Sequence, residues 1–309
     1  MDMRIAVIGA GGVGGYFGGR LAQSGADVHF LARGRHLEAM QADGLEIRSR
    51  FGDATVPVQA HGSATEIGPC DTVLFCVKSY DTESAGAHLP HLMHEDTAVV
   101  SLQNGVDNQQ KLAAVVGRDH ILGGLALIFA ILEEPGVVTH SGGPARVLFG
   151  ELDGSGSERS AVLLRAFHSA GVDAVESPTI VTAMWKKYAF LCALAGLTAG
   201  TRLPLGEVRD CPVTWDLFRS VVEEVFAVAR AEGVVVAEDA VEERVQFAAG
   251  VEGQSYSSLH HDLVSGNRME LEALHGMVVR LGDQHGVPTP ACRAIYALLQ
   301  PHAAAAERG

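Results

Sequence analysis

Only four lysines serve this chain of 309 residues, at positions 78, 111, 186 and 187. Two of them are adjacent and head a long apolar run, AMWKKYAFLCALAGLTAG, over residues 183–200. Lysines placed this way have three uses. They can flank a membrane span, they can edge a solvated helix with stems packed and ammonium groups in water, or one can be a buried amine with a proton to give. Lys78 and Asn104 raise a related question. Each stands just beyond an apolar run that reads as a strand, residues 72–77 and a run ending at Leu102. Ligands of open α/β sheets sit beyond the carboxyl ends of such strands. The third group is glycine. Gly9, Gly11 and Gly14 satisfy G-x-G-x-x-G, with Gly12 between them. In that motif the first glycine permits a tight turn, the second lets backbone approach a pyrophosphate, and the third lets helix pack on strand.

The elements around these residues give the motifs their context. RIAVI (residues 4–8) reads as a strand, the glycine run opens a helix that ends near Gly25, and DVHFLAR (27–33) reads as a second strand. Strand, glycine turn, helix and strand within about 30 residues is the setting of a dinucleotide site, with the phosphates at the helix N-terminus. The second strand ends in Leu31-Ala32-Arg33-Gly34-Arg35, with no acid for a ribose 2′-hydroxyl and two guanidiniums for a 2′-phosphate. NADPH is therefore the expected cofactor, held by Gly9, Gly11, Gly12, Gly14 and Arg33, with Lys78 and Asn104 beside it. Further strands are expected in HILGGLALIFAIL, GVVTHSGG, ARVLFGEL and GVDAVES, and a helix over 160–170.

From Pro178 the alternation of strand and helix stops. Helices are expected over 179–195, 239–249, 256–265, 268–285 and 290–300, and the apolar spacing of VTWDLFRSVVEEVFAVARAEG adds another. The reading is an α/β Rossmann-type domain over 1–177 followed by an all-α domain over 178–309, with ligand expected in a cleft between them. The AAAAERG tail is expected to fray.

Composition narrows the partners. The formal charge of −14 disfavours nucleic acid. The apolar run 188–200 is about 13 residues against roughly 20 needed to cross a bilayer, so no membrane partner is expected. Five scattered cysteines without C-x-x-C fit reduced thiols and a cytoplasmic location. His88, His91 and His94 lack the carboxylates or cysteines that would complete a metal site, so none is expected. A second copy of the chain, pairing through the helical half, is the one macromolecular partner left open.

Taken together, the glycine fingerprint, Arg33, CVKSYDT (76–82), LQNG (102–105), WKK (185–187) and SSLHHDLVSGNRMELEAL (257–274) resemble the ketopantoate reductases over nearly the whole chain. That family reduces 2-dehydropantoate to pantoate with NADPH in pantothenate synthesis, and its helical domain is of the 6-phosphogluconate dehydrogenase C-terminal type. The resemblance makes Lys187 the general acid and Glu270 the acidic residue that orients the substrate. It places Lys78 and Asn104 near nicotinamide and substrate, and Ser258 near the substrate carboxylate. The chemistry agrees: hydride addition to a 2-keto acid leaves charge on the carbonyl oxygen, and a cationic proton donor serves it best. Burial would bring a lysine pKa toward neutrality for that task. There is one departure. Typical members carry asparagines four and eight residues after the lysine, where this chain has Leu191 and Ala195. Apolar residues on the substrate side imply a less hydroxylated 2-keto acid as the alternative substrate. A non-catalytic NADPH sensor is the reading from another class.

Overall fold

The computed structural model describes residues 3–308, which divide into two compact units. The first comprises residues up to Gln103 and Asp107–Ile180; the second comprises Asn104–Val106 and everything from Val181 onward.

The first unit is a ten-stranded sheet flanked by helices. Its strands are β1 (Arg4–Ile8), β2 (Asp27–Leu31), β3 (Leu45–Ser49), β4 (Ala54–Val56), β5 (Gln59–His61), β6 (Thr72–Phe75), β7 (Ala98–Ser101), β8 (Ile121–Glu134), β9 (Val137–Glu151) and β10 (Asp173–Glu176). The spatial order is β4-β3-β9-β8-β7-β6-β1-β2-β5, with β10 also on β9. Strands β5 through β8 run parallel, whereas β8 and β9 form a long antiparallel hairpin. Helices α1 (Gly12–Gln23), α2 (Gly34–Asp43), α3 (Ala64–Ile67), α4 (Thr82–Gly86), α5 (Asn108–Val116) and α6 (Glu158–Ser169) complete the unit.

Period-two alternation sorts each central strand onto two cores. Ile5, Val7, Leu74 and Val100 join Phe17, Leu21, Leu163 and Phe167 from α1 and α6. Ala6, Ile8, Val73, Phe75 and Val99 join Ile67, Leu89 and Leu112 on the opposite side. Two stretches that read as separate strands, GVVTHSGG and ARVLFGEL, are one strand, β9. A hairpin this long needs no turn between them, because Gly142, Gly143 and Ala145 absorb the irregular register and the positive φ.

The second unit is helical: α7 (Ile180–Thr201), α8 (Leu205–Asp210), α9 (Pro212–Ala231), α10 (Ala240–Ala249), α11 (Ser258–Ser265), a single π-turn (Glu272–Gly276), α12 (Met277–His285) and α13 (Pro290–Ala306). Its core gathers α7, α9 and the stretch from Met269 to Val279 around Phe218, Phe226 and Leu274. Three expectations change. The helix expected over 179–195 is α7, which runs 22 residues to Thr201, so by length and composition alone it could cross a membrane; 61% of its apolar window is buried inside the protein, as in a core helix. The helix expected over 268–285 begins with the π-turn, and Arg268–Glu270 lie outside it. The alanine tail is helical through Ala306.

Candidate active site

In the first unit, β1 delivers the chain into the glycine loop. Gly9 turns it with φ of +93°, and a Cβ there would lie 2.7 Å from the Val77 nitrogen. A Cβ on Gly14 would fall 2.2 Å from the Gly9 carbonyl oxygen, so α1 packs on the loop only because both are glycine. Gly12, grouped above with the ligand-binding glycines, is also constrained by packing. Its Cβ would sit 2.1 Å from the Ala130 carbonyl oxygen of β8. Gly11 is different. It is the extended N-cap of α1, and nothing lies within 4 Å of where its Cβ would be. Open backbone there, beside a helix N-terminus with no acid in its first turn, fits a pyrophosphate.

His36 on α2 fixes this loop from behind. Its Nε2 lies 2.8 Å from the Ala10 carbonyl, between Gly9 and Gly11, and its Nδ1 accepts the Gly136 N–H at 2.9 Å. Both bonds require the neutral ring protonated on Nε2. Burial holds the pKa of His36 below the ordinary histidine value, although the Ala10 carbonyl opposes the shift.

Arg33 caps the start of α2 just beyond β2, with its side chain 91% exposed and 3.2 Å from Asp81. An exposed pair of this kind is weak, so Asp81 holds the guanidinium only loosely. Arg35 is exposed as well. Lys78 is exposed and precedes a short 3₁₀ turn (Ser79–Asp81) after β6.

The loop after β7 carries Asn104, and its two ends are tied down by buried polar side chains of the first unit. Gln103 donates to Thr82 at 2.8 Å and accepts from Ser101 at 3.0 Å, while Thr82 lies 3.2 Å from Asn108. Gly105, with φ of +100°, turns the chain between them.

Asn104 itself belongs to the helical unit, where three of the expected residues meet. The Lys187 ammonium donates to Asn104 Oδ1 at 3.0 Å, and Asn104 Nδ2 lies 3.5 Å from Glu270 Oε2. The amide thus turns its oxygen to the cation and its nitrogen to the carboxylate. Glu270 is buried, at 5% exposure. Desolvation lowers the Lys187 pKa to about 8, with Glu270 pulling the other way. The neighbouring Lys186 turns away to pair with Glu243 at 2.7 Å, the solvated role of the pair.

The remaining candidates separate. Leu191, one turn after Lys187, is partly buried against the helical core. Ala195, expected on the substrate side, is fully buried within that core; its methyl is enclosed by neighbouring helices and lines no surface. Ser258 is the first residue of α11. The preceding Ser257 makes the contacts, capping α11 through the His260 N–H and bonding to Thr198 at 2.9 Å. No metal-binding cluster of His, Cys, Asp or Glu exists among the described residues.

An amine of pKa near 8 held by an amide beside a buried carboxylate has the chemistry to give a proton, and the open glycine loop has room for a dinucleotide phosphate. A ketopantoate reductase PanE/ApbA model matches residues 5–154, and its C-terminal counterpart matches residues 179–303. The chain belongs to the ketopantoate reductase family. It is an oxidoreductase by that membership. It is similar to a 2-dehydropantoate 2-reductase of Halobacterium salinarum, 34% identical over 96% of this chain and 98% of that protein. It is also similar to YkpB of Bacillus subtilis, named only an uncharacterized oxidoreductase, at 31% identity over 98% and 99%. The crystal structure of a PanE/ApbA family ketopantoate reductase from Ralstonia eutropha superimposes with a TM-score of 0.90 at 35% identity, over 99% of this chain and all of that one. A D-mandelate dehydrogenase with NADH and anilino(oxo)acetate shares the fold, with a TM-score of 0.89 at 23% identity over 99% of each chain. The ketopantoate reductase fold class expected from the sequence is the one found.

Sequence reasoning missed Gln103 and Thr82, which stand inside the motif segments, and Asn108 at the start of α5; together they hold these loops. It also missed His36, whose signal was a lone histidine two residues past Gly34.

Proposed function

We propose that this ketopantoate reductase family member is an NADPH-dependent 2-keto acid reductase, with ketopantoate as its first substrate and Lys187 as the general acid. The observation that carries the reading is the contact of Lys187 with Asn104 and of Asn104 with buried Glu270. An ammonium has three N–H bonds; one directed at Asn104 leaves donors for the carbonyl oxygen of a keto acid, which gains charge as it is reduced. Bound NADPH would supply the hydride. Lys187 would then give its proton to the new alkoxide, and a pKa near 8 keeps it charged at neutral pH while making that transfer favourable. Glu270 opposes the loss of charge from Lys187 and so keeps the donor protonated. Supporting the cofactor are the approachable Gly11 and the exposed Arg33, with no acid at the end of β2. Free cysteines accord with a cytoplasmic enzyme.

Leu191 favours a second reading on the same fold, a less hydroxylated 2-keto acid, since leucine offers no hydrogen bond to a substrate hydroxyl. One assay separates the readings: NADPH oxidation with ketopantoate and with unhydroxylated branched 2-keto acids, using NADH as control. Saturable turnover of ketopantoate that prefers NADPH supports the first. Turnover of only the unhydroxylated acids supports the second, and NADPH binding without turnover of any acid rejects both. Lys187→Ala is expected to lower turnover by at least about two orders of magnitude with NADPH affinity unchanged. Wild-type turnover in that variant removes Lys187 from the mechanism.

A further inference from the structure

Directly after Glu270 the chain makes a π-turn, Glu272–Gly276, in which hydrogen bonds span five residues instead of four. Such turns leave a carbonyl without its helical partner and recur at functional sites. Here the Leu274 carbonyl accepts the Met277 N–H of the following turn, and α7 adds a second donor. The Tyr188 hydroxyl lies 2.5 Å from the Leu274 carbonyl and 3.1 Å from that of Ala273. The same Leu274 donates its N–H to the Glu270 carbonyl at 3.1 Å. A continuous line of bonds therefore runs from the Tyr188 hydroxyl to the Ala273 carbonyl, across the Ala273–Leu274 peptide to the Leu274 N–H, and on to the Glu270 carbonyl. Tyr188 is the residue next to Lys187. It is 2% exposed and packs edge-on against Trp185, with ring centroids 5.6 Å apart.

We infer that Tyr188 is a positioning residue: its hydroxyl holds the π-turn so that the Glu270 carboxylate stays on Asn104 and within reach of Lys187. The amine and the acid are thus set from one helix, Lys187 presenting the amine and Tyr188, a residue later, fixing the turn that presents Glu270. This rests on the assignment of Lys187 and Glu270 to the reaction. Within the helical unit Glu270 is the charged side chain that acts on Lys187, Asn104 between them is uncharged, and Lys186 is turned to Glu243.

The test reads the Lys187 amine directly. Competitive acetylation across pH 6–11, followed by peptide mass spectrometry, reports the midpoint of Lys187 with Lys186 as internal comparison, and it needs no substrate. The wild-type midpoint is expected near 8. Tyr188→Phe keeps the ring and loses the donor, and it is expected to lower the midpoint by at least about half a pH unit, because the carboxylate that raises it relaxes away. Glu270→Gln is expected to give the larger shift, and the double variant no more than Glu270→Gln alone. 4-Aminophenylalanine in place of Tyr188, which restores a donor, is expected to restore the midpoint. It also serves if Tyr188→Phe does not fold. An unmoved midpoint in Tyr188→Phe, or a shift that adds to that of Glu270→Gln, overturns the inference. Shifted midpoints in a protein that turns over no keto acid would keep the positioning role and reject the reaction. Turnover with unmoved midpoints would do the reverse.

Discussion

Among single residues, Gly11 and Gly14 make opposite demands although both belong to one motif. A methyl on Gly14 collides with backbone, whereas a methyl on Gly11 meets nothing of the protein. Gly14→Ala is expected to cost about 1–3 kcal/mol of stability, read by denaturant unfolding. Gly11→Ala is expected to stay within about 0.5 kcal/mol of wild type and yet to weaken NADPH binding at least tenfold by calorimetry, because the added methyl stands where a pyrophosphate must approach. Unchanged affinity in Gly11→Ala would move the cofactor off this loop. The tight turn at Gly9 and the close packing at Gly14 could be read from sequence because the spacing of the motif fixes both. The fate of Ala195 could not: a small residue one stripe along from a lysine reads as space for ligand, and only the neighbouring helices reveal that the space is filled.

At the scale of elements, the glycine loop is a bend held at two points, by α1 in front and by His36 behind. Protonating His36 on Nδ1 would set two donors, the ring and the Gly136 N–H, against each other. The folded-state pKa is lowered, so the clamp is intact at neutral pH and is lost only as pH falls through that lowered value, beneath the ordinary histidine one. NADPH affinity is accordingly expected to weaken on acidification from pH 7 to 5.5 in the wild type more than in His36→Gln, whose amide cannot be protonated there. Equal pH dependence in the two proteins would remove His36 from control of the loop. The elements themselves were unevenly legible. The glycine helix and α9 follow clear periods, but β3 to β5 are short strands broken by Gly52 and Pro57, so no alternation develops. The π-turn was invisible because Leu271, Leu274 and Val278 keep helical spacing in sequence, and the wider hydrogen-bond register leaves no mark on residue type.

For the whole molecule, histidines couple folding to acid. Burial lowers the pKa of His29, His36 and His260, and takes fully enclosed His275 down to about 4. A group whose pKa is depressed by folding binds its proton more readily in the unfolded chain. Stability is therefore lost as pH falls from about 6.5 toward 4, where His275 alone accounts for on the order of 3 kcal/mol. His275→Gln is expected to flatten the slope of unfolding free energy against pH between 6.5 and 4.5. A slope identical to wild type would assign acid sensitivity to other groups.

The three residues Asn104–Val106 also bear on inheritance. They are encoded amid the sheet-forming half of the gene but belong to the helical unit. A crossover between relatives near codon 180 would carry Lys187 and Glu270 together and leave the amide that touches both to the other parent. A hybrid joined there keeps the Lys187–Asn104–Glu270 contacts only when the parent of its first half has asparagine at 104, so shuffling experiments should show residue 104 and the helical half surviving selection as one linked block.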